Sequence, residues 1–535
     1  MKKIALCALA LVFSITTNPV KSQDGFNYAL RLNQIEVDGL PGLHSYAYAQ
    51  HEGKWLLIGG RRDGLHARQP FNAFPENFNN LDIFVVDPKN NDLWTGTLND
   101  LSLGIREQLQ STNLNFYQSN DTLFIIGGYS YAASAEDHIT HPKMTSLIVS
   151  EVINAIVDEE PIAPCFQQIE DEIFANTGGQ MGKIGGNFYL IGGHRFDGRY
   201  NPMGNPTYVQ TYKTGIQKFK ISNSPGNLSI SDYSFTEDPV HLRRRDYNLV
   251  PQIFPDGSDG YMISAGVFQI NANLPFLYPV NITENDYTPI TGFNQYLSHY
   301  HGAKTAIYDD QANEMHNLFY GGMSQYYYDN GNLIQDDEVP FVNTISRVTR
   351  YANGDLQEFQ MPVDMPGLKG AGSEFLPNLD APYTSSKVLM INDITEDSIL
   401  IGYIFGGIQT DLKNPFSNNQ TNQTSADASI FEVWLRKDES LDAFEIDGKT
   451  PYMAKVFPNP VGKKINVEID GENINSVRYF ITSIDGKILQ SGDLTNFNKK
   501  NKSVINLKSS ISAQALKLTL VVNDKFYINN TLVKE

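Results

Sequence analysis

Basic, imidazole and phenol side chains gather at a few points in this chain, each just after a glycine pair or just before an apolar run. Arg61 and Arg62, with His66 close behind, follow Gly59-Gly60 in "KWLLIGGRRDG"; Tyr129 follows Gly127-Gly128; His194 and Arg195 follow Gly192-Gly193 in "NFYLIGGHRFDG". His44 and Tyr46 lead into "HSYAYAQ", Arg243 to Arg245 with Tyr247 lead into "RDYNLVPQIF", and His299 and His301 flank the start of "HGAKTAIYD". Guanidinium forks bind carboxylate, sulfate or phosphate through paired hydrogen bonds. Tyrosine rings suit the apolar face of a sugar, and imidazoles can exchange protons near neutral pH. Together, His44, Tyr46, Arg61, Arg62, His66, Tyr129, His194, Arg195, Arg245, Tyr247, His299 and His301 form the candidate ligand-binding set, with no catalytic residue assigned. The competing reading for each arginine is an ion pair that merely ties loops together, because Asp63, Asp197 and Asp246 are near in sequence.

Other chemistries find less support. The His299-Tyr-His301 spacing can put two imidazoles on one face of a strand, but no third ligand is assigned. "HITHP" from His138 reads as a loop insertion, and "DGSDG" from Asp256 and "DDQANE" from Asp309 read as turns, without the regular oxygen ligands of a calcium loop. The sequence has no P-loop, no dinucleotide glycine fingerprint and no nucleophile elbow. We expect no metal and no cofactor.

These residues need elements to position them, and the elements repeat. Apolar runs ending in small residues recur at Gly59, Gly127, Gly192, Ala265, Gly321 and Gly406, at spacings of 68, 65, 73, 56 and 85 residues. An earlier strand-like run precedes most pairs and further ones follow, such as "LDIFVVDP" from Leu81 and "GIQKFKIS" from Gly215, giving about four strands per unit. The glycines imply positive φ or a backbone neighbour too close for a side chain. The pattern resembles the kelch repeat, in which a double glycine ends one strand and aromatics mark the next two, as Phe84 with Trp94 and Phe219 with Tyr233 do here. The fourth repeat departs from it with Ala265-Gly266. The resemblance implies a six-bladed β-propeller closed by pairing "FNYALRLNQIEV" from Phe26 with the strand Ser429 to Lys437, which would hide two sheet edges. Its loops would bring the candidate set to one mouth of a central channel. Copper-radical oxidation of the galactose oxidase kind requires a cysteine crosslinked to tyrosine, and Cys165 in "EEPIAPCFQQ" is poorly placed for it.

The two ends follow different rules. Residues 1–22 carry Lys2 and Lys3, an apolar stretch and a short polar segment, the form of a secretory signal peptide. Its removal would leave Cys165 as the only cysteine and no intramolecular disulfide. Nothing later reaches the roughly 18 apolar residues of a membrane span, so no transmembrane segment is expected after signal removal. After Lys449 come Pro458-Asn459-Pro460 behind a short strand, then Asp485-Gly486-Lys487 in a hairpin, then a strand-rich basic end. This resembles the C-terminal sorting domain of proteins exported by the type IX secretion system of Bacteroidetes. It implies that machinery as a partner and a secreted or outer cell-surface location.

The expected architecture is therefore all-β: a signal peptide at 1–22, a six-bladed kelch-like propeller at 23–449 and a small C-terminal β-sandwich at 450–535. From Tyr452 to Glu535 twelve Lys and Arg face seven Asp and Glu, a balance of +5, and the first 22 residues add +3, so the intervening body carries −27 within the total of −19. Such a body repels phosphate backbones, which excludes nucleic acid as an expected partner. The functional expectation is a glycan or other anionic ligand bound at the mouth. Alternatives are a sugar-acting enzyme of mutarotase, epimerase or lyase type with His194 or His301 as base, and an adhesion or scaffold protein.

Overall fold

The computed structural model describes residues 25–203, 207–437, 444–494 and 501–535. The expected signal peptide at 1–22 lies outside them. The fold is all-β. No helix among the described residues is long and apolar enough to cross a membrane.

Before the C-terminal region, the chain builds six sheets of four or more strands in sequence order, antiparallel except for one added strand in the fifth, with smaller two- and three-stranded sheets beside them. The first contains Ala47–His51, Lys54–Ile58, Asp82–Asp87 and Asp92–Thr97; the second Asn115–Ser119, Thr122–Ile126, Lys143–Ile148 and Phe166–Glu170. The third contains Gln180–Ile184, Asn187–Ile191, Gly215–Ser224 and Asn227–Glu237; the fourth Asn248–Ile253, Asp259–Ser264, Val280–Ile282 and Tyr287–Pro289. The fifth is built on Lys304–Asp309, Glu314–Met323, Phe341–Arg350 and Leu356–Asp364. The sixth takes Glu374–Pro377, Ser398–Phe405 and Ile430–Lys437 from its own stretch of chain, and its fourth strand, Tyr28–Ile35, from the opposite end. That pairing runs from Tyr28 opposite Lys437 to Ile35 opposite Ile430, as the alternating N-terminal pattern requires.

Each sheet buries apolar residues against the sheet before it and the sheet after it. Leu56 and Ile83 pack with Leu123 and Ile125 between the first and second sheets; Phe124 and Met144 pack with Phe188 and Phe219 between the second and third. Tyr189 with Ile263, Met262 with Phe319, and Leu318 with Ile404 continue the series. Trp55 and Phe84 with Tyr403 and Phe405 join the sixth sheet back to the first. The sheets thus form a closed ring. Both faces of the inner strands are covered, so "KWLLI", "TLFII" and "NFYLI" are continuous apolar runs rather than alternating ones.

The glycine pairs hold adjacent sheets together. Gly128 N donates to Asn176 O at 3.0 Å and Gly193 N to Arg244 O at 2.7 Å, each acceptor lying in the segment that leads into the next sheet. Gly127 has φ +67°, and a Cβ there would overlap the Asn176 carbonyl oxygen. Ala265, standing where the other repeats have their first glycine, takes φ +53° despite its side chain.

The C-terminal region forms two further sheets, Met453–Phe457 with Lys464–Asp470 and Lys502–Asn506, and Val477–Ser483 with Ile488–Asp493, Gln514–Val522 and Phe526–Lys534. Val467, Ile481, Leu518 and Leu520 share a core in this region. Phe480, Val521 and Tyr527 pack instead with Tyr247 and Tyr278 of the ring, where the Tyr527 hydroxyl donates to Gln269 Oε1 at 3.0 Å.

Gly226 has φ +72° with nothing within 4 Å of an added Cβ. Gly226→Ala is therefore expected to cost only the left-handed strain, about 1–2 kcal/mol. Gly127→Ala should add an overpacking cost of about 1–3 kcal/mol, giving the larger fall in chemical denaturation midpoint. Equal midpoints would refute the packing role of the pair.

Candidate functional site

Where the chain turns into the innermost strand of each sheet, one residue hydrogen-bonds to its counterparts in the neighbouring sheets. Ser45 N donates to Gly372 O at 2.8 Å, Asn113 N to Ser45 O at 3.0 Å, Gly178 N to Asn113 O at 3.3 Å, Asp246 N to Gly178 O at 2.7 Å, His301 N to Asp246 O at 2.8 Å and Gly372 N to His301 O at 2.9 Å. The six bonds close on themselves. Ser45, Asn113, Gly178, Asp246 and Gly372 all have positive φ, between 49° and 72°. Glycine, Asn and Asp adopt that conformation readily, so most of these positions carry a suitable residue type.

This collar places the loops. At four of the six collar positions the preceding residue bridges to the residue after a glycine pair or after Ala265-Gly266: His44 to Arg61, Thr112 to Tyr129, Thr177 to His194 and Arg245 to Val267. Of the predicted residues, these bridges join His44 directly to Arg61 and set Tyr129, His194 and Arg245 at equivalent corners of their sheets. Their charge, however, is mostly spent there. Arg61, 2% exposed, donates to both Asp63 oxygens at 2.8 and 2.6 Å, to Asn79 Oδ1 at 2.7 Å and to Pro75 O at 3.1 Å. Arg62 pairs with Asp82 at 2.6 Å, Arg195 with Asp197 at 2.5 Å and with Glu172, and Arg245 with Asp246. For these four arginines the ion-pair alternative describes the structure: neighbouring carboxylates neutralise them, because a cation held out of water without a partner is costly.

The remaining predicted residues divide between packing and the mouth. Tyr46 and Tyr247 are core residues whose hydroxyls donate to Phe405 O at 3.0 Å and Ile191 O at 2.7 Å. Tyr129 is buried and donates to Gly198 O at 2.8 Å. His299 is buried, with Nε2 bonded to Gln295 O at 2.9 Å and Nδ1 accepting from Gln325 N at 3.0 Å, so it is no partner for His301 in holding a metal. His44 lies 3.8 Å from Asp63. His194 Nδ1 accepts from the Gln210 amide at 2.7 Å, and burial followed by Arg245 and Arg243 holds its imidazole well below the usual range. His66 is likewise pushed down by burial, to about 4, and stacks on Phe74 at 4.8 Å. His301 points away from this surface, into the channel beneath the collar, with Nε2 2.9 Å from Glu374.

His138 and His141 of "HITHP" bond to Phe74 O and Ser130 Oγ, both at 2.9 Å, while Asp256 and Asp309 cap turns. No three His, Cys, Asp or Glu side chains gather into a metal-binding group among the described residues.

Sequence reasoning missed an aromatic web and two arginines, Arg68 and Arg199, that lie with Arg243 outside the carboxylate pairs. His66 meets Tyr200 at 4.7 Å and Phe416 at 5.4 Å; Tyr200 neighbours Tyr208 at 5.9 Å, and Tyr208 stacks on Phe196 at 4.5 Å. Arg68 lies 5.6 Å from the Phe416 ring and bonds Ser417 O at 3.0 Å. Arg199 Nε donates to Ala73 O at 2.9 Å, and Arg243 donates to Phe268 O and Gln269 O while resting 3.6 Å from the Tyr212 ring centroid. Among the described residues none of these three has a carboxylate partner within ion-pair distance. Burial raises the Tyr200 phenol, Tyr208 raises it further, and Arg245 and Arg68 oppose the shift, so two guanidiniums stand near that ring. Arg68 and Arg199 lie eight and six residues past their glycine pairs, further into the loops than the GG signal reaches.

Residues 455–512 match the family of secretion system C-terminal sorting domains. The protein is exported by type IX secretion, to the outer surface or beyond the cell. No curated protein matches the chain. A solved structure described as "Structure of YjhT" aligns with 77% of this chain and 100% of its own, at 11% identity and a TM-score of 0.41.

Arg61→Ala is expected to act on stability rather than on ligand affinity. It strands the largely buried Asp63 carboxylate and should cost about 3–5 kcal/mol by urea denaturation. A loss under about 1 kcal/mol would return Arg61 to the set of free charges.

Proposed function

We propose that residues 23–449 form a six-bladed kelch-like β-propeller, that 450–535 serve as its sorting domain, and that the mouth binds a glycan carrying acidic groups outside the cell. The observation that carries this reading is the pairing of aromatic faces with arginines bonded only to neutral carbonyls. Tyr200, Tyr208, His66 and Phe416 offer rings for the apolar face of a sugar. Arg68, Arg199 and Arg243 keep uncompensated charge for its carboxylate or sulfate. Phe71, in the loop beyond the first glycine pair, and Val209, in the strand Tyr208–Tyr212 beyond the third, are 72% and 68% exposed and add apolar surface. On a body of −27, local positive charge of this kind selects an anion over a neutral competitor and resists non-specific adsorption.

Glycan-array screening followed by calorimetric titration with an acidic saccharide tests the site. Arg68→Ala and Tyr200→Ala should each weaken binding at least tenfold, about 1.4 kcal/mol, with unchanged melting temperature. Arg195→Ala, whose charge is already paired twice, should weaken it far less. Full affinity in both Arg68→Ala and Tyr200→Ala would remove the mouth from consideration.

A further inference from the structure

Beneath the collar, the inner strands line a partly open cavity of about 150 Å³. Among its lining groups, Glu374, His301, Lys304 and Lys387 form a cluster of charge. Glu374 lies at its centre of charge, with His301 Nε2 at 2.9 Å and Lys304 Nζ at 3.9 Å. Lys387 enters from the far side, its ammonium 5.2 Å from the Tyr48 ring centroid. Asp246 also reaches the wall, but Arg245 neutralises it. A single carboxylate, already bonded to His301, thus faces two ammonium groups, neither of which has a protein hydrogen-bond acceptor among the described residues.

The backbone places Lys387 there at a cost. Val388–Met390 adds a parallel strand to the channel-facing edge of Lys304–Asp309, with Val388 opposite Ala306, which brings Lys387 to the level of Thr305. The preceding turn is closed by Lys387 N to Thr384 O at 2.9 Å and Thr384 N to Val388 O at 2.8 Å, and Lys387 itself takes φ +65°. Glycine or Asn would fill that turn with less strain. A long cationic side chain held in a strained conformation and aimed into a cavity, with Glu374 near it but no protein anion within hydrogen-bond distance among the described residues, is a ligand-binding arrangement.

We propose that this channel binds a compact monocarboxylate with an apolar body, its carboxylate seated between Lys304 and Lys387. The volume matches what a benzene-sized molecule needs. Phe116, Met181, Leu249 and Phe375 supply apolar wall, and Glu374 with His301 fixes the position of Lys304. The site is independent of the mouth and of the saccharide reading.

Calorimetric titration of the secreted chain with sodium benzoate, benzyl alcohol and inorganic phosphate at constant ionic strength tests it. Benzoate should bind at least tenfold more tightly than either of the others. Lys387→Asn should lose at least tenfold in benzoate affinity while melting at the same or a higher temperature, and Lys304→Met should lose affinity as well. Glu374→Gln should bind benzoate more tightly, by removal of the competing carboxylate. Binding should weaken as pH rises through about 8, where burial has lowered the Lys387 ammonium. Of the other groups facing it, burial lowers Lys304 less far, burial pushes the Tyr48 and Tyr383 phenols far up, and Lys304 and His301 outweigh burial to hold Glu374 low. Undiminished benzoate binding in Lys387→Asn, or no binding to the wild type, would overturn the proposal. Phosphate binding as tightly as benzoate would overturn the apolar-body assignment.

Discussion

Six backbone amides, each donating to the carbonyl of the adjacent sheet's lead-in residue, form the constraint on which this molecule depends. Ser45, Asn113, Gly178, Asp246, His301 and Gly372 lie in connecting segments, where a buried N–H would otherwise have no partner. Because their bonds close into a circle, the whole set is satisfied only when all six sheets are present and in order. The sixth sheet is completed only when Tyr28–Ile35 arrives from the N-terminal side, so circular closure joins regions about 400 residues apart. The glycine pairs serve the same end one layer out, letting a neighbouring carbonyl approach where a side chain would block it.

Charge has two uses around this collar. Arg61, Arg62, Arg195 and Arg245 are bound to carboxylates and fix the loops in place. Arg68, Arg199 and Arg243 bond to carbonyls alone and retain their field. The distinction matters energetically, since a cation already held by a carboxylate gains little from a second anion, whereas one facing only dipoles gains a full ionic partner. In the channel the balance is reversed relative to the acidic exterior, with two lysines around Glu374.

The sheet-rich fold and the repeated glycine pairs were legible in sequence because they answer to local rules. A continuous apolar run marks a strand covered on both faces, and Gly192-Gly193 marks a positive-φ corner whatever surrounds it. The sorting tail was legible from ordered turns near the C-terminus. The collar was not, because its members share a backbone conformation rather than a residue type, and His301 lacks even that. The pairing of Arg61 was half visible in Asp63, two residues on, but its bonds to Asn79 and Pro75 depend on how the loop returns. Arg68, Tyr200 and Phe416 come from three different loops, and Lys387 reaches the channel through an inserted strand with no repeat signature. Convergence of that kind is a property of the closed circle.

Native-state hydrogen exchange at the collar amides tests this account most directly. If the circle closes as described, the amides of Ser45, Asn113, Gly178, Asp246, His301 and Gly372 open only with global unfolding, and share the protection of core-strand amides such as Leu56 and Leu190 despite lying in loops. Exchange of these six at the rates of exposed turns such as Gly226, while the strands stay protected, would contradict it.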